Sequence, residues 1–228
     1  MKLSIVVPVY NEKNTIREIL SRIKNVRDID KEIILVDDGS TDGTRDILKQ
    51  IQQEQPDVKV LFKDYNSGKG DSLKIGFQHS TGDYVIVQDA DLEYDPNDYH
   101  ILLNALSEKH AQVVYGSRFS GNYKDMSSLH FVGNKILTFA TNLLFGVTLT
   151  DMETCYKLVP GDFIRKISIK SKRFNFEPEI TAKILKSKLK MVEVPINYKG
   201  RSHSEGKKIT WKDGISALST LIRYRYFD

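Results

Sequence analysis

EIILVDDGSTDGTRDILKQIQQE, residues 32–54, decides the fold of this chain. EIILVDD (32–38) is a continuous apolar, β-branched run that ends on two aspartates, which is how a strand buried on both faces reads. STDGTRDILKQIQQE (40–54) then carries apolar residues at helical spacing behind a Ser, Asp and Thr turn, so a helix follows with almost no linker.

The same unit recurs outward in both directions. LSIVVPVY (3–10) leads into a helical pattern over 14–26, VKVLFKD (58–64) into one over 68–80, and DYVIVQDAD (83–91) into one over 96–109. AQVVYGSRF (111–119) is a further strand. Buried strands alternating with amphipathic helices predict an α/β fold with a mostly parallel central sheet between two helical layers, Rossmann-like in organisation. Asp95 before Pro96 suits a helix start. Past residue 120 the rhythm changes to helical patterns over 132–147 and 174–189, a strand over 190–198 and a charged, aperiodic stretch at 199–211. The C-terminal KDGISALSTLIRYRYF reads as an amphipathic helix that either packs on the core or lies at an interface.

Composition narrows the class. The length of 228 residues suits one domain, in two halves, 1–120 and 121–228, that differ in pattern. A single cysteine, Cys155, excludes an internal disulfide framework. MKLSIVVPVYNE turns polar too soon for a signal peptide, and no apolar run reaches the ~20 residues of a membrane-spanning helix. Residues 1–156 hold 17 basic and 23 acidic residues, net −6, while 157–228 hold 17 and 7, net +10. Such asymmetry suggests different partners for the two halves, or surface solubility alone. Aromatics do not interleave with the basic tail, which argues against nucleic acid.

The polar clusters all fall after strands, where ligands of such folds gather. PVYNE follows the first strand, DDGS the second and DADLE the fourth. Asp89 and Asp91 face the same way if their strand persists that far. Oxygen donors without nearby His or Cys favour magnesium or manganese. Acidic pairs after strands are also common solvated turns, so the neighbours matter. Asp37 and Asp38 precede Gly39 and Ser40 at a helix start, where backbone donors face outward. PVYNE offers a ring, an amide and a carboxylate suited to a base, and NSGKG (66–70) offers flexible backbone with Lys69, suited to phosphate.

PVYNE (8–12), VDDGSTDGT (36–44), NSGKG (66–70), DADLEYDP (89–96), GSRF (116–119), LTDMETCYK (149–157) and EGKKITWKDG (205–214) together span nearly the whole chain. In these motifs the sequence resembles the inverting glycosyltransferases of family 2, with the nucleotide-diphospho-sugar fold called GT-A. Within that family it is most similar to polyprenyl-phosphate sugar transferases of the dolichol-phosphate mannose synthase type. The resemblance implies that Pro8, Tyr10, Glu12 and Asp37 hold the nucleoside of a GDP- or UDP-hexose, with Lys69 and Asp89 near its ribose and diphosphate. It implies a divalent cation on Asp89, Asp91 and Glu93, and a sugar site at Asp151 and Glu153. Arg118, Arg201, Lys207 and Lys208 would meet the phosphate of a polyprenyl acceptor on the cytoplasmic face of the membrane. Asp91, Asp151, Arg118 and Arg201 would carry the chemistry, with a nucleotide-binding half at 1–120 and an acceptor-binding half at 121–228. The 199–208 stretch is either a plain connection or, as its glycines and charges beside that site favour, a lid that closes on nucleotide.

A hydroxyl acceptor would require a general base, for which Asp151 is the candidate by resemblance. A lipid monophosphate is already ionised near neutral pH, and Asp151 would then orient the sugar or the acceptor. His130 stands in LHFVGNK where some relatives carry a second arginine, and the QxxRW signature of processive synthases is absent, so one sugar per turnover is expected. The competing expectation is a transferase of the same fold acting on a polysaccharide or other soluble acceptor. Phosphatase chemistry fits poorly because DADLE lacks the DxDx[TV] pattern, and a nucleotidyltransferase would need a glycine-rich basic loop where PVYNE stands. A non-catalytic nucleotide-binding module would need neither DADLE nor EGKK. Tyr94, Met152 and Cys155 read as packing residues, and His79, His100, His110 and His203 as surface histidines.

Overall fold

The computed structural model describes residues 1–125, 128–173, 175–200 and 211–227. Strands β1 (Leu3–Val9), β2 (Lys31–Asp37), β3 (Val58–Phe62), β4 (Tyr84–Val87), β5 (Val113–Lys124), β6 (Lys157–Pro160) and β7 (Met191–Lys199) form one sheet in the order β3-β2-β1-β4-β6-β5-β7. β6 pairs antiparallel to β4 and β5; the other neighbours run parallel. β1 is buried at six of seven positions, and alternate residues point to opposite faces, so both faces of the sheet are covered. The α/β expectation with a mostly parallel sheet is met.

Helices α1 (Ile16–Asn25), α2 (Thr44–Glu54), α3 (Lys69–Gln78) and α4 (Tyr99–Glu108) connect the first five strands, and α4 is preceded by a 3-10 turn at Pro96–Asp98. Asp95 caps that turn through a hydrogen bond from Asn97 N, as its position before Pro96 implied. α5 (Ser128–Phe145), α6 (Gly161–Lys166), α7 (Phe176–Lys186) and α8 (Trp211–Tyr226) belong to the second half. α8 packs on α5 and α7, burying Ala217, Leu221 and Tyr224. Its other face leaves Ile215, Ile222 and Tyr226 exposed, with Phe227 just beyond its end, so the helix is both a packing element and an apolar surface.

Three expectations need correction. β4 stops at Val87 instead of running to Asp91, because Gln88 turns its side chain inward to two buried tyrosines and the chain then bends, with Leu92 at φ 67°. Asp89 and Asp91 therefore sit on a turn, and the strand-alternation argument does not apply to them. α2 begins at Thr44, after Gly43 at φ 99°, so Ser40 is not a helix start. Its hydroxyl instead accepts from Asn11 N at 3.0 Å. β6 and α6 have no counterpart in the sequence reading, being too short to show periodicity. The proposed lid, with Arg201, His203, Lys207 and Lys208, lies outside the described residues apart from Lys199 and Gly200.

Candidate active site

The carboxyl ends of β2, β1 and β4 lie side by side, and side-chain bonds stitch their loops together. Asn11 Oδ1 accepts from Thr41 N at 2.9 Å, and Thr44 Oγ1 accepts from Glu12 N at 2.9 Å. The Glu12 carboxylate takes the Thr15 hydroxyl at 2.8 Å. PVYNE and DGSTDGT thus form one hydrogen-bonded rim, with Pro8 paired in register to Val36. Asp37 is wholly buried. Its Oδ1 accepts from Ser40 N at 3.2 Å, while Oδ2 has no hydrogen-bond partner and lies 3.5 Å from the Arg45 guanidinium.

Asp38 organises the next loop. Its carboxylate accepts from Ser67 N at 3.0 Å, from Gly68 N at 2.8 Å and from Lys63 Nζ at 2.5 Å. Gly68, at φ 105°, and Gly70 press against the backbone of residues 171–173, where a Cβ on either would collide with the carbonyl oxygens of Lys172 and Ser171. These glycines serve close approach between segments. The clamp aims Lys69 at Asp89, with Nζ 2.8 Å from Oδ1 and 3.1 Å from Oδ2. Burial disfavours charge on Lys69, but Asp89 and then Glu177 outweigh it and hold the ammonium well above its ordinary pKa.

Gln88 braces the acidic turn. Its Oε1 accepts from the hydroxyls of Tyr99 at 2.6 Å and Tyr156 at 2.5 Å, and its Nε2 donates to the Asp89 carbonyl. Asp91 Oδ1 accepts from Glu93 N at 3.2 Å. Glu93 is engaged by β7: its Oε2 accepts from the Tyr198 hydroxyl at 2.6 Å, and its carbonyl from Lys199 N. Among the described residues no three His, Cys, Asp or Glu side chains converge on a common point, so Asp89, Asp91 and Glu93 do not stand as a ready-made triad. Asp89 and Asp91 on one turn still offer only hard oxygen donors, a set that fits magnesium or manganese completed by ligand oxygens.

Across β6, Arg118 on β5 forks onto Asp151. Nε and the backbone N both donate to Oδ2, at 2.7 and 2.9 Å, and Nη2 donates to Oδ1 at 2.7 Å. Asp151 has no solvent exposure, so with both oxygens engaged it is an anchor for Arg118 in this arrangement. The loop carrying it is held by Glu193, whose carboxylate accepts from Thr150 N and Asp151 N. Glu153 lies between the charged groups. Its Oε1 is buried without a hydrogen-bond partner, and burial foremost, then Glu177, raise its carboxyl to about 7 against Lys157 and Arg118.

Several residues of this region escaped sequence reasoning: Lys63 with Asp38, and Glu177, which bonds Lys157 Nζ at 2.5 Å and lies 3.5 Å from Lys69. The available signal was a glutamate inside the apolar helix FEPEITAKIL, since buried charges require partners. Tyr94, Met152 and Cys155 are buried as expected, Tyr94 accepting from Cys155 N at 3.0 Å.

Residues 4–167 match the profile of glycosyl transferase family 2. A dolichol-phosphate mannosyltransferase of Pyrococcus furiosus is 29% identical over 215 residues, covering 91% of this chain and 59% of that protein. An undecaprenyl-phosphate mannosyltransferase of Micrococcus luteus is 29% identical, covering 91% of this chain and 87% of that protein. An undecaprenyl-phosphate 4-deoxy-4-formamido-L-arabinose transferase of Pseudomonas fluorescens is 31% identical, covering 90% and 59%. The chain therefore spans about three fifths of the length of two of these relatives. Among solved structures, glucosyl-3-phosphoglycerate synthase of Mycobacterium tuberculosis, in complex with Mn2+, UDP and glucosyl-3-phosphoglycerate, superposes with a TM-score of 0.73 at 18% identity, over 98% of this chain and 79% of that one. The likeness is one of fold.

Proposed function

This chain belongs to glycosyl transferase family 2, and from that premise we propose that it moves one hexose, with inversion, from a GDP- or UDP-sugar to a polyprenyl phosphate at the cytoplasmic membrane surface. Names of relatives that act on dolichol and undecaprenyl phosphates support the acceptor class. The observation that carries it is the junction of charge and apolar surface at Arg118. Phe119, next in sequence, meets Phe131 of α5 at 5.2 Å between ring centroids, and Lys135 of α5 stands 4.2 Å over the Phe119 ring. From there α5 exposes Val132, Ile136, Phe139 and Leu143 along one stripe. An acceptor with an anionic head and an isoprenoid tail matches that sequence of surfaces; a sugar acceptor has no use for the apolar part. No helix of the described residues is long and apolar enough to cross a membrane.

In this proposal Pro8, Tyr10, Glu12 and Asp37 hold the nucleoside at the rim. Asp89 and Asp91 would hold magnesium or manganese, which when bound supplies Lewis-acid stabilisation of the leaving diphosphate. Arg118, kept in place by Asp151 through Nε and Nη2, meets the acceptor phosphate with the guanidinium N–H groups that Asp151 does not take. Because that phosphate is ionised at neutral pH, no side chain has to remove a proton before it attacks the anomeric carbon. Asp151 is accordingly a positioning group. Glu153 accepts hydrogen bonds from sugar hydroxyls through its uncommitted oxygen. Arg201, Lys207 and Lys208 would add positive charge from the adjoining segment.

The test presents the purified chain with polyprenyl monophosphate and GDP-, UDP- and dTDP-hexoses, with and without manganese, and follows label into the lipid fraction. Single-sugar transfer from one donor, lost in Asp91→Ala, is the expected result. Label appearing only on a soluble saccharide, or no sugar nucleotide binding at all, overturns it.

A further inference from the structure

Lys69 already occupies the carboxylate that a divalent cation would need. Its Nζ touches both oxygens of Asp89, at 2.8 and 3.1 Å, and stands 3.5 Å from Oε1 of Glu177. That oxygen is buried and makes no hydrogen bond, while Oε2 of the same carboxylate is taken by Lys157 at 2.5 Å. A buried carboxylate oxygen without a donor is costly unless a cation is near or arrives. The backbone around Lys69 is fixed, since Gly68 and Gly70 abut residues 171–173 and Asp71 N bonds the Lys172 carbonyl. The lysine stem is free to swing where the backbone is not.

Resting on the metal site proposed above, we propose that Lys69 is an internal counter-ion which a divalent cation displaces from Asp89, and that Glu177 on α7 is the waiting acceptor for the displaced ammonium. The two resting partners are already within one side-chain movement of each other. A cation arriving on Asp89 repels Lys69, and Oε1 of Glu177 stands 3.5 Å from its Nζ, with the same carboxylate held through Oε2 by Lys157. Asp89 trades one cation for another, and Oε1 of Glu177 closes its 3.5 Å ion pair with Lys69 into a hydrogen bond. Metal affinity would then depend on a residue of α7 that does not touch the metal.

Manganese binding in the presence of UDP, read by calorimetry and by the paramagnetic resonance of free manganese, tests this without turnover. Lys69→Met should bind manganese several-fold more tightly, because the competitor is gone. Glu177→Gln should bind about fivefold more weakly, because Lys69 has nowhere to go. In the double variant the glutamine should change affinity less than about twofold. An equal loss from Glu177→Gln in both backgrounds makes Glu177 a plain electrostatic neighbour and overturns the proposal, as does unaltered affinity in Lys69→Met. Failure of the wild-type chain to bind manganese overturns the metal site itself, a separate result. Should Glu177→Gln unfold through loss of its Lys157 bond, Glu177→Asp keeps the charge but withdraws the carboxylate and serves the same comparison.

Discussion

Arg118 and Asp151 are locked by a forked ion pair in which Nε stands 2.7 Å from Oδ2 and Nη2 2.7 Å from Oδ1, both residues almost wholly shielded from water. Removing one partner of such a pair strands the other charge in the interior. Asp151→Asn should therefore cost about 3–5 kcal/mol of folding stability in denaturant titrations. The double replacement Arg118→Met with Asp151→Leu should recover most of that loss while leaving transfer abolished. Recovery of turnover by the apolar pair would mean that Arg118 does not contact substrate.

Glu153 gives the molecule a pH dependence of known sign. Its carboxyl is raised from 4.5 to about 7, by burial first, so between those values the folded state holds a proton that the unfolded chain has released. Stability attributable to the neutral acid is complete below about 4.5 and is lost as pH rises to about 7. The loss amounts to at most about 3 kcal/mol, at ~1.4 kcal/mol per unit, reduced by what solvent reaches the residue. Glu153→Gln removes the ionisation, so its melting temperature should gain on the wild type as pH goes from 5 to 8. A constant difference across that range would show that Glu153 is ionised throughout.

Gly70 and Gly133 make opposite predictions from the same substitution. A Cβ at Gly70 would run into the Ser171 carbonyl, whereas one at Gly133, inside α5, meets nothing within 4 Å. Gly70→Ala should destabilise by about 2 kcal/mol or more. Gly133→Ala should stabilise by up to about 1 kcal/mol, as alanine does in a helix interior. Thermal unfolding of the two variants side by side decides the matter, and a neutral Gly70→Ala would remove the packing argument for NSGKG.

What the sequence disclosed and what it hid follow one rule. Continuous apolar runs such as EIILVD are buried on both faces, and their period and turn residues are local, so β1, β2 and the first helices were legible. Lys157–Pro160 is four residues long and begins with a buried lysine, so β6, which joins the two halves of the sheet, left no local pattern. The polar clusters were visible as clusters. Their partners were not, because Lys69 reaches Asp89 and Glu177 across loops and Arg118 finds Asp151 across 33 positions. Ion pairing between distant segments is a property of the fold, and the strand-end geometry assumed for Asp91 gave way once Gln88 turned inward to Tyr99 and Tyr156.

The exposed stripe on α5 yields the last prediction. Val132, Ile136, Phe139 and Leu143 recur at three- and four-residue intervals on one face, and Phe139 and Leu143 are 69% and 75% exposed. α8, packed beside α5, adds Ile215, Ile222 and Tyr226, and Arg225 stacks over Phe145 at 5.7 Å. α5 contains no acidic residue, and Lys135 over Phe119 and Arg225 over Phe145 add positive charge near it, which suits an anionic bilayer surface. Because neither side chain contributes to the core, Phe139→Asp with Leu143→Asp should leave unfolding free energy within about 0.5 kcal/mol per site of the wild type. Co-sedimentation with vesicles containing anionic lipid should fall at least tenfold, since two apolar anchors become two repelled charges. Transfer to a short-chain, water-soluble prenyl phosphate should persist, because the site at Arg118 is untouched. Undiminished vesicle binding by the double variant would refute the role of this face, and loss of activity on the soluble acceptor would place the stripe inside the acceptor site instead of at the membrane.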